Sequence, residues 1–271
     1  MLVNANWLKK NIKSTSLKVL DSSWYLPNSS KNAFKEFRRS HIPGSIFFDI
    51  DEISEKSSSL PHMLPERQFF ENAISKLGIS DKNTIVIYCK DGIKTSPRVW
   101  WTFRYFGHKN VYVLNGGFRA WRLVNGQNRS CLKKKKHSPY KVKRIRKFLK
   151  ISFSVLKNKY KDKDKYLIVD ARPTERFTGE YPEPRKEIGR GNIPGSYSLP
   201  EELLHINGFM KYKSSLKKIL NKINKKNKTV VCSCGSGISA CNIAFALNQI
   251  GFNNYTVFDG SWTEWYIKTK N

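Results

Sequence analysis

Short apolar runs alternate with longer segments of helical period along most of the chain. In the C-terminal half, the run "KTVVCS" that ends at Ser233 is apolar and β-branched, as a buried strand requires. The next segment, residues 238–251, carries apolar residues at helical spacing and ends in glycine, a common residue after a helix. These apolar positions are Ile238, Cys241, Ile243, Ala244, Leu247 and Ile250. The alternation predicts an α/β fold, with a mostly parallel sheet flanked by helices on both faces.

The same series of segments occurs twice. "LKVLDSSW" around Asp21 matches "YLIVDARP" around Asp170, and "HIPGSIFFD" matches "NIPGSYSLP". Further along, "TIVIYCKDGIKTS" matches "TVVCSCGSGISA", and "VLNGGFRAW" matches "VFDGSWTEW". Because these pairs follow in the same order at nearly equal spacing, we interpret the chain as two copies of one domain. We place the first domain at residues 1–126, the second at 148–271, and a basic linker without clear periodicity at 127–147.

The composition is that of an ordinary globular protein. A chain of 271 residues can bury two cores, and seven Trp and sixteen Phe argue against disorder. No apolar run approaches the roughly 18 residues that a membrane span needs, and the first residues lack the apolar core of a secretion signal. We therefore expect a soluble, cytoplasmic protein that does not bind a membrane.

The formal charge of +29 would suit a nucleic-acid-binding protein. However, the excess is mostly lysine, accompanied by many Asn and Ile, and it peaks outside the repeated motifs, at residues 129–150 and 211–228. This distribution favours a solvated surface whose many lysines reflect a bias in amino-acid composition. We expect no specific nucleic-acid partner, and non-specific polyanion binding stays open.

Cysteine positions offer the clearest candidate chemistry. Five cysteines, at positions 89, 131, 232, 234 and 241, are typical of free thiols in an intracellular chain of this size. Cys241 falls on the apolar face of the predicted helix and Cys232 lies inside the predicted strand, so both fit the core. Cys234 opens the glycine-rich turn between strand and helix, where amides and the helix N-terminus favour a nucleophilic thiolate. We expect its sulfur to be ionised and exposed at the mouth of the C-terminal half.

Two other uses of these cysteines fit less well. The spacing C-x-C-x6-C is uncommon among zinc sites, and no His follows nearby to complete four ligands, so no metal is expected. A cysteine-dependent phosphatase needs an arginine six residues after its cysteine to bind phosphate. That position is Ala240 after Cys234 and Thr95 after Cys89, which excludes the phosphatase interpretation.

The duplicated pattern, "HIPG", the cysteine-led loop and "FDGSWTEW" resemble the tandem-domain rhodaneses. Further matches, "WYLP", "LPHMLP", "SPRVWW" and "RFTGEYPEPR", follow in the order expected for that family over nearly the whole chain. Within the family, "CGSGIS" is similar to the loop of sulfurtransferases that use 3-mercaptopyruvate. Thiosulfate-using relatives place basic residues after the cysteine, whereas Gly235 and Ser236 are small and neutral. The resemblance implies a 3-mercaptopyruvate sulfurtransferase, with thiosulfate as the alternative donor.

The resemblance also implies roles for individual residues. Arg176 and Arg185 match two arginines that hold the carboxylate and keto groups of the donor, and a guanidinium suits a planar carboxylate. Ser236, His62 and Asp51 match a Ser–His–Asp relay proposed for proton transfer, with His and Asp in the first domain. The remaining loop residues that would bind the donor are Gly235, Gly237, Ile238 and Ser239.

Two positions depart from the family pattern. Cys89 stands in the first copy where the family commonly has Asp, and its loop "CKDGIKTS" resembles that of single-domain rhodaneses. We expect this loop to be non-catalytic because Pro97 and the bulky aromatics of "SPRVWW" would crowd it, although a second working thiol stays open. In the second copy Asn192 replaces the His of "HIPG" and is expected to form a local hydrogen bond.

The resemblance implies a ping-pong reaction that needs no metal or organic cofactor. The Cys234 thiolate would attack the donor sulfur and form a persulfide with release of pyruvate, while amides of residues 235–239 stabilise the anionic sulfur. A thiol acceptor, such as a thioredoxin-like protein, or cyanide would then take the outer sulfur. A non-catalytic persulfide carrier is the alternative from a different class.

Overall fold

The computed structural model describes residues 1–130, 136–223 and 228–270. The chain divides into two compact units. Unit 1 comprises Met1–Lys56, Leu64–Arg146 and Asn207–Phe209, and unit 2 comprises Ser57–Met63, Lys147–Ile206 and Met210–Asn271. Each unit therefore includes a short segment from the opposite half of the sequence.

Unit 1 contains one parallel sheet. Its strands are β1 (Leu2–Val3), β2 (Leu17–Asp21), β3 (Ile46–Phe47), β4 (Thr84–Tyr88) and β5 (Val111–Leu114). Its helices are α1 (Ala5–Asn11), α2 (Ala33–Arg39), α3 (Arg67–Lys76), α4 (Ser96–Tyr105) and α5 (Gly117–Leu123). The strand order is β1-β5-β4-β2-β3, with every pair parallel.

Unit 2 repeats this arrangement. Its strands are β6 (Lys150–Ile151), β7 (Tyr166–Asp170), β8 (Tyr197–Ser198), β11 (Thr229–Ser233) and β12 (Tyr255–Phe258), in the order β6-β12-β11-β7-β8. Its helices are α6 (Phe153–Lys159), α7 (Thr174–Thr178), α8 (Lys213–Ile223), α9 (Ala240–Gln249) and α10 (Ser261–Thr269). A two-stranded sheet of β9 (His205–Ile206) and β10 (Phe209–Met210) and two 3₁₀ turns, Lys147–Leu149 and Glu201–Leu204, complete the described elements.

The central strands explain why the pattern could be recognised from sequence. β4 and β11 are buried along nearly their whole length, and a parallel strand covered on both faces is a continuous apolar run. The predicted strand ends at Ser233 as β11 does, and the predicted helix corresponds to α9, which begins at Ala240. The α/β fold class is confirmed.

Part of the predicted linker lies outside the described residues, and Cys131 lies in that part. Of its described part, Tyr140 and Val142 are buried in unit 1, where the Tyr140 ring packs edge-on against Phe70 at 5.7 Å between centroids. The amide of Val142 donates to Glu71 Oε1 at 2.8 Å. The boundaries at residues 126 and 148 remain a prediction.

No helix in the described ranges combines the length and the apolar surface that crossing a bilayer requires.

Candidate active site

Cys234 lies directly after β11, at the start of the loop that leads into α9. In the sheet, Ser233 at the end of β11 is paired with Asp170 at the end of β7. Because the two strands are parallel, the loops that follow them leave the same edge of the sheet, where ligands of α/β proteins bind. Cys234 is thus brought together with the segment that follows Asp170.

Hydrogen bonds tie the first two residues of this loop to the start of α10. The amide of Cys234 donates to Ser261 Oγ at 3.0 Å, and the amide of Trp262 donates to the Cys234 carbonyl at 2.9 Å. The Gly235 carbonyl accepts from both the amide and the hydroxyl of Thr263, at 3.0 and 2.7 Å. The loop is therefore fixed by its neighbours within unit 2.

The Cys234 sulfur faces a backbone donor. The amide of Gly237 donates to Sγ at 3.1 Å, and Ser261 Oγ lies 3.9 Å from the same atom. A hydrogen-bond donor favours the thiolate over the thiol, and the N-terminus of α9 adds positive potential a few residues later. The arrangement suits a nucleophilic sulfur.

The expectation that this sulfur is openly exposed is wrong. Cys234 retains 2% of its surface, and Ser236 in the same loop retains 7%. The physical reason is that the loop curls back over the sulfur, so that the Gly237 amide that favours the thiolate also encloses it. Ile238 is likewise buried, and Ser239 is half-buried at the N-cap of α9.

The other two cysteines of this segment belong to the core, as predicted. Cys232 and Cys241 have no exposed surface, and the Cys241 thiol donates to the Gly237 carbonyl at 3.3 Å. Burial, together with the neighbouring Cys241 and Cys234, raises the pKa of Cys232 well above its ordinary value. Among the described residues, no three His, Cys, Asp or Glu side chains are grouped so that they could hold a metal ion.

Arg176, on α7, lies beside the Cys234 loop. A Cβ atom placed on Gly235 would be 2.9 Å from Arg176 Nη2, so the missing side chain leaves the space that this guanidinium uses. Arg176 also contacts the Glu183 carboxylate through both Nε and Nη2, and its own side chain keeps 19% of its exposure. The predicted site residues Arg176, Gly235 and Cys234 therefore occur together.

Arg185 and His62 form a second group within unit 2. Arg185 Nη2 lies 3.1 Å from His62 Nε2. Since a guanidinium has only donors, this hydrogen bond makes Nε2 the acceptor. His62 is 5% exposed and adopts φ +61°, an unusual conformation for a residue other than glycine.

Asp51, the third residue of the predicted relay, belongs to unit 1. Its two carboxylate oxygens accept from the indole Nε1 of Trp24 at 3.1 and 3.0 Å. The hydrogen bond that Asn192 forms is not the local one expected: its Nδ2 donates to the carbonyl of Phe177, 15 residues earlier in the chain, at 3.0 Å.

Sequence reasoning missed a buried arginine at this site. Arg172 is 1% exposed. Its guanidinium donates to both oxygens of Asp170, at 2.8 Å for the shortest contact, and to Oε1 of Glu183 at 2.7 Å. Burial alone lowers the pKa of Arg172, but the Asp170 and Glu183 carboxylates outweigh it and raise that pKa. The repeat contained a signal, because Arg172 aligns with Ser23 in the first copy.

The loop of the first copy presents its cysteine differently. Cys89 is 2% exposed, like Cys234, but its thiol donates to the Gly92 carbonyl at 3.3 Å. Burial raises the pKa of Cys89, and hydrogen bonds from Thr95 and Ser96 only partly oppose this. A carbonyl oxygen repels a thiolate, so this environment favours the neutral thiol.

Comparisons with known proteins agree with this architecture. A family model described as "Rhodanese-like domain" matches residues 4–123 and 152–268. The chain is 39% identical over 282 residues to 3-mercaptopyruvate sulfurtransferase of Mus musculus, covering 99% of this chain and 93% of that protein. It is 37% identical over 276 residues to thiosulfate sulfurtransferase of Rattus norvegicus, covering 98% and 91%.

A solved structure shares both domains. The crystal structure of SseA from Escherichia coli, which has the rhodanese fold, matches with a TM-score of 0.88 and 28% sequence identity, over 96% of this chain and 98% of SseA. The matched segments, the identities and the shared fold confirm the resemblance found in the sequence: the chain belongs to the rhodanese family of sulfurtransferases and carries two rhodanese-like domains.

Proposed function

We propose that this protein transfers the sulfur of 3-mercaptopyruvate to an acceptor through a persulfide on Cys234. The observation that carries the proposal is the amide of Gly237 pointing at the Cys234 sulfur, in the copy that also places Arg176 beside the cysteine loop. A sulfur that accepts an amide hydrogen bond is prepared to act as an anionic nucleophile.

The chemistry proceeds in two steps. The Cys234 thiolate attacks the sulfur of the donor thiol, the carbon–sulfur bond breaks, and its electron pair leaves with pyruvate as the enolate. The enolate takes a proton at carbon, and the proton of the donor thiol is released. A thiolate acceptor, such as that of a thioredoxin-like protein, or cyanide then takes the outer sulfur and restores Cys234.

The donor would be held by its carboxylate. Arg176 lies next to Gly235 and offers the edge of its guanidinium that Glu183 does not bind, and Arg185 would bind the keto end of the same small molecule. We assign the remaining predicted loop residues, Gly237, Ile238 and Ser239, to the wall around the sulfur.

Proton transfer is assigned to the predicted relay of Ser236, His62 and Asp51. His62 supports the part of the relay that would contact the donor, because its Nε2 accepts a hydrogen bond from Arg185, one of the two proposed donor-binding arginines.

Thiosulfate is the second candidate donor, since a thiosulfate sulfurtransferase is among the relatives. The position of Arg176 argues for 3-mercaptopyruvate, because a basic side chain at position 235 would meet this guanidinium. Turnover of the two donors by the same preparation separates these functions. A cytoplasmic location and the identity of the acceptor remain predictions.

The experiment that tests the function is pyruvate release from 3-mercaptopyruvate by the wild type, Cys234→Ser and Cys89→Ser. We expect Cys234→Ser to lose all activity, because serine cannot form a persulfide, and Cys89→Ser to stay within about twofold of the wild type. Equal losses in both variants would mean two working loops. A persulfide on Cys234 supplied by a partner desulfurase, without pyruvate release from any small donor, would instead identify a carrier.

A further inference from the structure

Four charged side chains of alternating sign run from the end of β7 to the cysteine loop. Asp170 binds Arg172, Arg172 binds Glu183, and Glu183 binds Arg176. The first three are buried, at 0%, 1% and 8% exposure, and the side chain of Arg176 is the one that reaches 19%. The series thus ends in a single accessible cation beside Gly235.

The Glu183 carboxylate lies between two guanidinium groups. Its Oε1 accepts from Arg172 Nη1 at 2.7 Å and from Arg176 Nε at 3.3 Å, while Oε2 accepts from Arg176 Nη2. Oε2 is also 3.5 Å from the position that a Cβ on Gly235 would occupy. Glu183 therefore fixes the direction of the Arg176 fork relative to the loop.

Arg172 links this series to the cysteine loop by a second route. Its guanidinium carbon lies 5.4 Å from the ring centroid of Trp262, and the amide of Trp262 donates to the Cys234 carbonyl. Nη2 of Arg172 also donates to the Gly191 carbonyl at 2.9 Å. With donors committed to Asp170, Glu183 and Gly191, Arg172 is a fixed counterion that cannot turn toward a substrate.

The first copy shows that the fold does not require this series. There Ser23 stands at the position of Arg172, and the equivalent aspartate, Asp21, accepts from the amide and hydroxyl of Ser23 at 2.9 and 2.5 Å. The sheet has the same strand order in both units. The charged series therefore occurs in the copy that contains the Cys234 loop, and the shared sheet arrangement forms without it.

We propose that Glu183 is a positioning residue that sets donor affinity by holding Arg176 against Gly235, with Arg172 holding Glu183 in turn. The inference rests on the proposed function, in which Arg176 binds the donor carboxylate. Without the Glu183 carboxylate, the Arg176 side chain would sample several rotamers. Binding of the donor would then have to order that side chain, which lowers the affinity.

The test is the kinetics of Glu183→Gln with 3-mercaptopyruvate. Glutamine keeps the shape of the side chain but loses the charge and one of the two acceptors, so we expect KM to rise about tenfold with kcat changed less than threefold. The matched control is Glu187→Gln, an exposed glutamate four residues along the same loop, which should behave like the wild type.

A double-mutant cycle shows whether Glu183 acts through Arg176. If it does, adding Glu183→Gln to Arg176→Gln raises KM by less than twofold beyond Arg176→Gln alone. Independent, multiplicative effects on KM, or an unchanged KM in Glu183→Gln, would overturn the inference while leaving the proposed function intact. A wild type that does not release pyruvate from 3-mercaptopyruvate would overturn the proposed function itself.

Folding is monitored separately. Alkylation of Cys234 by iodoacetamide and the thermal unfolding temperature report whether the loop is intact in Glu183→Gln. If that variant does not fold, Glu183→Asp keeps the negative charge but shortens the side chain by one methylene, so that it can no longer reach both guanidinium groups as Glu183 does, and a rise in KM is again expected. A Glu183→Asp protein with a wild-type KM would contradict the inference.

Discussion

At the residue scale, the two cysteine loops differ in the peptide group that meets the sulfur. Cys234 and Cys89 are equally buried, at 2% exposure, and each contacts the residue three positions later. Gly237 presents its amide to Cys234, whereas Gly92 presents its carbonyl to Cys89. The same strand–turn–helix frame can therefore present a hydrogen-bond donor to the sulfur in one copy and an acceptor in the other.

Alkylation rates should reveal this difference. At pH 7.5 we expect iodoacetamide to label Cys89 in the Cys234→Ser variant at least tenfold more slowly than it labels Cys234 in the Cys89→Ser variant. Only the thiolate reacts, and burial holds the pKa of Cys89 above its ordinary value of 9.0, so its labelling rate should still be rising at that pH.

Peptide mapping separates these sites from Cys232 and Cys241, which have no exposed surface. Because Cys89 and Cys234 have the same fractional exposure, the ratio of their labelling rates reflects the ionisation of the thiols more than access of the reagent. Equal labelling rates for the two cysteines at pH 7.5 would contradict the assignment of Cys89 as a neutral thiol.

At the element scale, equivalent strands end in equivalent aspartates with opposite surroundings. Asp21 ends β2 and Asp170 ends β7, and both have no exposed surface. Burial raises the pKa of Asp21 more than Ser23 and Lys90 lower it. Asp170 instead faces the buried guanidinium of Arg172. One strand end therefore favours a neutral side chain, and the other holds the partner of a buried arginine.

Replacing each aspartate by asparagine should shift stability in opposite directions. The raised pKa of Asp21 means that the folded state favours the neutral carboxyl. The stability that Asp21 contributes is therefore full below the ordinary pKa of 3.8 and is lost as pH rises through the pKa of the folded state. Asp21→Asn should thus raise the unfolding temperature at pH 7.5, and this gain should shrink toward pH 4.

Asp170→Asn should lower the free energy of unfolding by about 3 kcal/mol, because it leaves Arg172 buried with one counterion fewer. Thermal and urea unfolding of both variants, at pH 7.5 and pH 4, make the comparison. The account of the two strand ends fails if Asp21→Asn destabilises the protein at pH 7.5 as much as Asp170→Asn does.

At the scale of the whole molecule, periodicity and internal repetition were enough to predict the fold. Buried parallel strands and amphipathic helices leave a direct trace in sequence, and β11 and α9 were located to within two residues. The position of the cysteine loop could be predicted as well. A turn that connects a parallel strand to the following helix lies at the carboxyl ends of the strands, where α/β sheets bind ligands.

The details of the site depend on contacts that no local pattern contains. Glu183 meets Arg172 across 11 residues and Arg176 across seven, so the series of charges appears only after the segments fold together. Likewise, Cys234 is buried and its sulfur meets the Gly237 amide, neither of which composition could indicate. This series of charges occurs in unit 2, while unit 1 has Ser23 at the position of Arg172.

The most direct test of the central claim is the mass of the protein after brief incubation with 3-mercaptopyruvate and removal of excess donor, followed by peptide mapping under non-reducing conditions. We predict one added sulfur per chain, located on Cys234, with an equal amount of pyruvate released and no sulfur added to Cys234→Ser. Pyruvate release without sulfur on Cys234, or sulfur found on Cys89 instead, would contradict the account.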